Sequence, residues 1–218
     1  MSDESLFREV DEEVRQEQFK KLWARYGNAV IGLCVVVIIG VAGFEGWKYW
    51  QLKQSEAAGA SFFSAAQLAT SGKADEAIKQ FEAIDKTGFA DLGRLRAAAQ
   101  LVVDGKAAEA VKLYDAIAAD AKVDQTLRDL ARIRAAAALA DTAAFADIEG
   151  RLKDFATPDS PWRHIARELM ASVQFRLKDY KGADAQVQAI LADPATPPPL
   201  RQRAQTIAQI VQPMVTAQ

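Results

Sequence analysis

The sequence predicts an all-α protein: a single N-terminal transmembrane helix, followed by an α-solenoid of about four helix hairpins and a capping helix. Residues 29–44 form an uncharged apolar run. Beyond Gln54 the chain is rich in alanine and other helix formers, and no segment alternates apolar and polar residues with the period of a strand. A glycine-containing motif near residue 72 recurs 33 residues later, and such periods are typical of helical repeat proteins.

Residues 26–47, which contain the apolar run, are predicted to cross a membrane. A helix of this length spans about 33 Å, close to the thickness of a bilayer core. Trp23 and Tyr26 precede the run and Trp47 and Trp50 follow it, where amphipathic rings meet the two headgroup layers. An excess of basic residues before the run predicts a cytoplasmic N-terminus; they are Arg15, Lys20, Lys21 and Arg25, against Lys48 and Lys53 after it.

Two other interpretations of the apolar run fit the sequence less well. A buried core helix would need a polar face, which the run lacks. A cleaved signal peptide would need a processing site, and Ala58-Gly59-Ala60 resembles one, but the leader before the run is long and acid-rich. An uncleaved signal anchor is therefore favoured. Residues 1–25 are then a cytoplasmic stub: either an amphipathic helix on the inner leaflet or on a membrane partner, or a solvated leader of the anchor.

Residues 48–218 are predicted to form a repeat domain. The motif GKADEAI at 72–78 recurs as GKAAEAV at 105–111, and Phe81 then corresponds to Tyr114. Each unit is expected to be a helix hairpin, in which alanines let two helices approach and the aromatic residue fills the gap to the next hairpin. These residues resemble the tetratricopeptide repeat, although its early tryptophan is missing.

Two further copies of the repeat are less regular. A copy at 178–183 begins near two repeat lengths after Gly105, so a degenerate copy is expected between them, at 127–140 and 143–155. Prolines separate the hairpins, and 200–211 is predicted to be a final capping helix with a polar outer face.

The composition gives little support for catalysis or for nucleic-acid binding. The chain has 27 basic and 29 acidic residues, no basic block, one histidine and one cysteine. Cys34 lies inside the apolar run without a partner for a disulfide or a metal, and His164 is expected in the first turn of a helix. We expect no catalytic residue, cofactor, metal or nucleic acid, although the sequence alone does not exclude carboxylate pairs.

The arrangement as a whole resembles the bacterial ancillary translocon-subunit family, the YfgM-like proteins. The resemblance is carried by SDESLF at 2–7, WARYGN at 23–28, IAREL at 165–169 and PLRQRA at 199–204. It implies a single-pass protein of the bacterial inner membrane with a periplasmic repeat domain. As partners it implies the SecYEG translocon and periplasmic chaperones or exported chains. It brings no active-site residues, and it leaves open whether the protein forms a homodimer.

A protein-binding scaffold is the favoured function. Stacked hairpins would form a groove that holds a polypeptide. Under tetratricopeptide geometry Phe62, Leu95, Val102 and Phe175 lie near that groove; the alternative is that they are buried between helices. A second class of function is a self-associating envelope scaffold in cell division or cell-wall maintenance. Broad, weak binding of peptides would indicate the first class, and one tight folded partner or self-assembly would indicate the second.

Overall fold

The structure, a computed structural model, describes the backbone of residues 3–85 and 88–216 and the side chains of Glu12, 15–85 and 88–216. Within these ranges it contains nine α-helices, one 3-10 helix and no strand. The predicted all-α class is therefore confirmed. The chain divides into two compact units, Met1–Glu56 and Ala57–Gln218.

Helix α1 (Asp3–Thr70) supplies all the described structure of the first unit. An 18-residue window within Arg15–Thr70 has a mean hydropathy of 2.3. Its valines and isoleucines, such as Val36, Ile38 and Ile39, are mostly exposed in the protein. A helix that is apolar on every face and uncovered by protein suits a hydrocarbon environment. By length and composition α1 is a candidate membrane span, as predicted.

The second unit contains the end of α1 and the remaining described helices, which form four hairpins and a final helix. The end of α1 pairs with α2, α3 with α4, α5 with α6, and α7 with α8. The helices are α2 (Ala74–Glu82), α3 (Phe89–Val103), α4 (Ala107–Ala119), α5 (Gln125–Leu139), α6 (Phe145–Leu152), α7 (Arg163–Arg176), α8 (Tyr180–Ala192) and α9 (Pro198–Thr216). The predicted number of hairpins and the capping helix are confirmed.

The first, second and fourth hairpins share one type of turn. Gly72, Gly105 and Lys178 have φ angles of 81°, 75° and 65°. The amide after each of them donates to a carbonyl five residues back in the preceding helix: Lys73 to Leu68 at 3.0 Å, Lys106 to Leu101 at 2.8 Å, and Asp179 to Gln174 at 2.9 Å. This is the pattern of a Schellman motif, which favours glycine at the left-handed position. The positive φ at this position therefore explains why the repeated motif contains a glycine.

Replacing Gly105 with alanine should destabilise the second unit by about 1 kcal/mol, because a Cβ is strained at a positive φ. The matched control is Gly150→Ala. Gly150 lies inside α6, where a Cβ would meet nothing within 4 Å, so alanine should stabilise the helix by about 0.5–1 kcal/mol. Thermal unfolding of the full chain in detergent, followed by circular dichroism, measures both changes. A Gly105→Ala variant at least as stable as the native protein would show that the turn does not require glycine.

The third hairpin lies where the degenerate copy was expected, with a different turn. Its second helix, α6, begins at Phe145 and is followed by a 3-10 helix, Lys153–Phe155. Thr142 and Ala143 both donate backbone amides to the Leu139 carbonyl, so this turn closes without a left-handed residue. The third copy therefore needs no glycine at this turn.

The capping helix is longer than predicted at both ends. Residues 200–211 were expected to be helical, whereas α9 runs over Pro198–Thr216 and includes Pro213. Pro198 and Pro199 open the helix, and prolines are tolerated in a first turn because the amides there have no intrahelical partner. The proline run therefore starts α9 rather than only leading into it.

Three clusters of buried side chains hold the second unit together. The first joins the first two hairpins with the start of α5, around Phe81, Tyr114 and Ile117. The second joins α5, α6 and α7, and the third joins α7, α8 and α9. Alanines recur in all three, because small side chains allow close helix packing. The core is thus distributed along the repeats.

Candidate protein-binding surface

A recess lies between the first helices of the first two hairpins. Its volume is about 220 Å³, and we call it the α1–α3 recess. It is lined by Ala66, Ala69 and Thr70 of α1, Phe81 of α2, and Arg96, Ala99, Gln100 and Val103 of α3. In solenoids of helix hairpins the extended inner surface is the usual binding surface. The α1–α3 recess is therefore the leading candidate for a site in the second unit.

The recess exists because its walls are built from small side chains. Ala66, Ala69 and Ala99 end at Cβ, so the space between the two helices opens down to Phe81. Phe81 is only 2% exposed, and its ring packs edge-on against Phe62 with centroids 5.3 Å apart. A rigid aromatic ring thus closes the recess toward the protein core.

Two large apolar side chains are exposed at this surface, Val103 in the recess lining and Phe63 on the same helix face as the α1 part of the lining. Val103 is 78% exposed and Phe63 is 68% exposed. Phe63 precedes Ala66 by three positions and Thr70 by seven, a spacing that places all three on one face of α1. A large aromatic side chain and a valine therefore lie uncovered on the same surface as the recess.

The four residues predicted to lie near a groove have different surroundings in the structure. Phe62 is half-buried against Phe81 and Phe89, and Leu95 is buried; both belong to the first core cluster. Val102 is 38% exposed, and Phe175 is half-buried on α7 against the ring of Tyr180. The lining of the α1–α3 recess includes none of these four. Their role in binding stays a prediction.

Phe63, Val103 and Arg96 were not among the predicted residues, although the sequence contained a signal for two of them. Phe62-Phe63 and Val102-Val103 are pairs of adjacent large apolar residues. Neighbours on a helix point about 100° apart, so both members of a pair seldom face the same core. The structure exposes the second member of each pair more than the first.

Two arginines at matching positions of α3 and α5 are among those without an ion-pair partner in the described residues. Arg96 lines the recess, and Arg134 lies on α5, the first helix of the third hairpin. They occupy equivalent positions: Arg96 stands between buried Leu95 and Ala97, and Arg134 between buried Ile133 and Ala135. Both are exposed. One uncompensated positive charge therefore lines the apolar recess, and a second stands at the matching position one hairpin further along the chain.

Arg134 also acts on a buried aromatic residue. Burial raises the pKa of Tyr114, and the positive charge of Arg134 acts in the opposite direction. Tyr114 is the repeat equivalent of Phe81, the floor of the α1–α3 recess. Arg134 therefore stands by Tyr114 much as Arg96 stands by Phe81 in the recess lining.

Many other charges of the second unit are neutralised within the protein. Arg94 pairs with Asp120 at 3.3 Å, Lys106 with Asp75 at 3.1 Å, and Arg203 with Glu168 at 2.6 Å. A second recess of about 300 Å³, between α4, α5 and α6, contains the bidentate pair of Arg151 and Asp115 at 2.6 and 3.0 Å. That pair raises the pKa of Arg151. Arg132 and Asp154 add one charge of each sign to its lining, so this recess carries no net charge and is a weaker candidate.

His164 lies in the first turn of α7, as predicted, and it is buried. Its Nε2 atom is 2.9 Å from Oδ2 of Asp193, which also accepts a hydrogen bond from Arg163 Nε at 2.6 Å. The described residues contain no group of three His, Cys, Asp or Glu side chains that could hold a metal ion. The contacts of His164 are those of a buried residue that links α7 to the end of α8.

The comparisons with known proteins agree with the repeat architecture. The chain is 34% identical over 87 residues to a protein of Haemophilus influenzae named "Ancillary SecYEG translocon subunit". The match covers 37% of this chain and 41% of that relative, so it spans well under half of either protein. No solved structure matches. The sequence model of the tetratricopeptide repeat-like domain matches residues 20–169, more than half of the chain. The protein therefore belongs to the tetratricopeptide repeat-like family.

Proposed function

We propose that this protein is a non-catalytic adaptor of the SecYEG export machinery in the bacterial inner membrane. Residues 26–47 of α1 would be the single span, residues 1–25 a cytoplasmic stub, and residues 48–218 the periplasmic part. The name of the Haemophilus relative supports the export role, and the apolar window of α1 supports the anchor. The excess of basic residues before the window supports a cytoplasmic N-terminus.

The repeat domain would bind newly translocated chains or periplasmic chaperones. The single observation that carries this proposal is the α1–α3 recess, with Val103 exposed in its lining and Phe63 exposed on the same face of α1. Unfolded segments present apolar side chains, and contact with these residues would remove apolar surface from water on both partners. The recess needs no catalytic group for this function.

Site-specific photo-crosslinking of the intact protein in its native membrane tests the proposal. Probes at Leu33 and Gly40 should capture translocon subunits, and a probe at Phe63 should capture exported chains or periplasmic chaperones. A probe at Glu149, exposed on α6, is the matched control and should capture few of them. Equal capture at Phe63 and Glu149 would contradict binding at the α1–α3 recess.

A self-associating envelope scaffold is the second candidate, and α9 gives a specific reason to keep it. Ile210 and Met214 are about half-exposed on this helix, and no charged residue follows Arg203 in the chain. An uncharged surface with apolar residues can pair with its own copy without charge repulsion. If the same crosslinking experiment captures only the protein itself, or only cell-wall and division proteins, the scaffold replaces the adaptor.

A further inference from the structure

We propose that the α1–α3 recess and the arginines Arg96 and Arg134 together select extended segments that combine a bulky apolar side chain with acidic ones. This inference rests on the proposed function, since it specifies which segments of an exported chain the surface would hold. Three features carry it: the size of the recess, the missing partners of the two arginines, and their spacing across consecutive hairpins.

The recess has the size and lining for one large apolar side chain. An apolar cavity of about 150 Å³ is enough to hold a benzene ring in a protein, and the recess measures about 220 Å³. Three alanines, Phe81 and Val103 are the apolar residues of its lining. A leucine or phenylalanine of the bound segment would contact Phe81 and displace water from the alanines.

The arginines supply the second requirement. Arg96 and Arg134 have no ion pair within the described residues, whereas Arg94 and Arg151 on the same hairpins are paired with aspartates. Arg132 of α5 is also without an ion pair there, but it lines the other recess, which holds the pair of Arg151 and Asp115. A carboxylate can accept two hydrogen bonds from one guanidinium, which makes arginine well suited to acidic ligands. Acidic residues of a bound segment would form ion pairs with both arginines, and lysines would be repelled.

The spacing of the two arginines fits an extended chain. Arg96 and Arg134 lie at equivalent positions on α3 and α5, which contact each other. Axes of packed helices are about 8–10 Å apart, and an extended chain advances about 3.3 Å per residue. Acidic residues about three positions apart would therefore reach both arginines, while an apolar residue beside the first enters the recess.

The test uses the full chain in phosphatidylcholine nanodiscs and fluorescein-labelled peptides of about nine residues on a Ser/Gly background. One peptide carries Phe with two Glu, a second carries Phe with two Lys, and a third carries Ala with two Glu. Fluorescence anisotropy measures the affinities. We expect the first peptide to bind about tenfold more tightly than either of the others.

Variants assign the preference to the named residues. The double variant Arg96→Glu with Arg134→Glu should reverse the order of the two Phe peptides. Ala99→Leu, which fills the recess, should remove the difference between Phe and Ala. Arg132→Glu is the matched control, because Arg132 is an exposed arginine on α5 that lines the other recess. It should leave the order unchanged, and circular dichroism confirms that each variant is folded.

The outcomes separate this inference from the function on which it rests. If Phe peptides bind equally well with Glu or Lys, or if Arg132→Glu changes the order as much as the double variant, the charge selection is wrong. Apolar binding at the recess would then stand. If no peptide binds and a probe at Phe63 captures no exported chain, the inference and the client-binding function are both overturned.

Discussion

Replacing Gly93 with alanine should destabilise the repeat domain more than the same change at Gly59, Gly105 or Gly150. Gly93 lies in α3 and is buried against α2, and a Cβ built on it would stand 2.6 Å from the backbone carbonyl oxygen of Phe81. A backbone atom cannot rotate away as a side chain can, so α2 and α3 must separate. Overpacking of this kind costs about 1–3 kcal/mol, which lowers the melting temperature by roughly 2–12 °C in a domain of this size.

The matched control for Gly93→Ala is Gly59→Ala. A Cβ at Gly59 would meet only the ring of Phe89, at an ordinary distance of 3.5 Å. Alanine is the better helix former, so this change should be neutral or stabilising. Thermal unfolding of both variants by circular dichroism gives the comparison. A melting temperature for Gly93→Ala that matches the control would mean that α2 and α3 are not packed as closely as the structure shows.

Replacing Asp193 with asparagine should destabilise the domain at neutral pH and also change how its stability depends on pH. The Asp193 carboxylate accepts hydrogen bonds from Arg163 and from the Ala195 amide, and it lies 2.9 Å from His164 Nε2. Asparagine has only one acceptor oxygen for these partners. Arg163 and His164 share Oδ2, and the Ala195 amide uses Oδ1. In asparagine the side-chain NH2 group would therefore face either the Ala195 amide or both side chains, which are mostly buried, and the donors it faces would lose their acceptor.

The pH dependence follows from the direction of the pKa shift. The hydrogen bond from Arg163, and then that from the Ala195 amide, hold the pKa of Asp193 well below its ordinary value of 3.8. The folded state therefore binds this proton less readily than the unfolded state. The stabilisation is fully present above the ordinary pKa and is lost as the pH falls below it.

Acid titration of stability checks this second prediction. The native protein should lose stability steeply below about pH 4, and Asp193→Asn should show a shallower loss from a lower starting value. Asp159→Asn, which alters an exposed carboxylate in the loop before α7, is the control and should follow the native curve. A variant at Asp193 that keeps the native stability and acid profile would show that this cluster does not hold the end of the domain.

The helices of this protein could be predicted because their signals are local. The apolar run, the repeated GKA motif and the turn glycines each act through neighbouring residues in one helix or one turn. The third hairpin was placed by counting repeat lengths, but its turn could not be foreseen, since it is closed by two amides on the Leu139 carbonyl. Lys178 aligns with two turn glycines, and this alignment was a signal for its left-handed conformation that the sequence analysis did not use.

The candidate site was less predictable, because it depends on contacts between hairpins. The sequence could indicate that Phe62 and Leu95 face inward, but the recess results from three alanines on two helices above one phenylalanine. Likewise, an arginine in the sequence does not reveal whether an aspartate of the next hairpin reaches it. Arg94 has such a partner in Asp120, whereas Arg96, two positions later, has none within the described residues.

The division of the core into three clusters affects how the domain comes to be folded. The first cluster is completed by Ala131 and Ala135 of α5, and the third cannot close before Ala204 and Ala208 of α9 are present. Synthesis delivers these helices in chain order, so the amino-terminal cluster can form while the last helices are still missing. The α1–α3 recess lies in this amino-terminal part of the domain. It can therefore fold before α9, the last helix of the domain, has been synthesised.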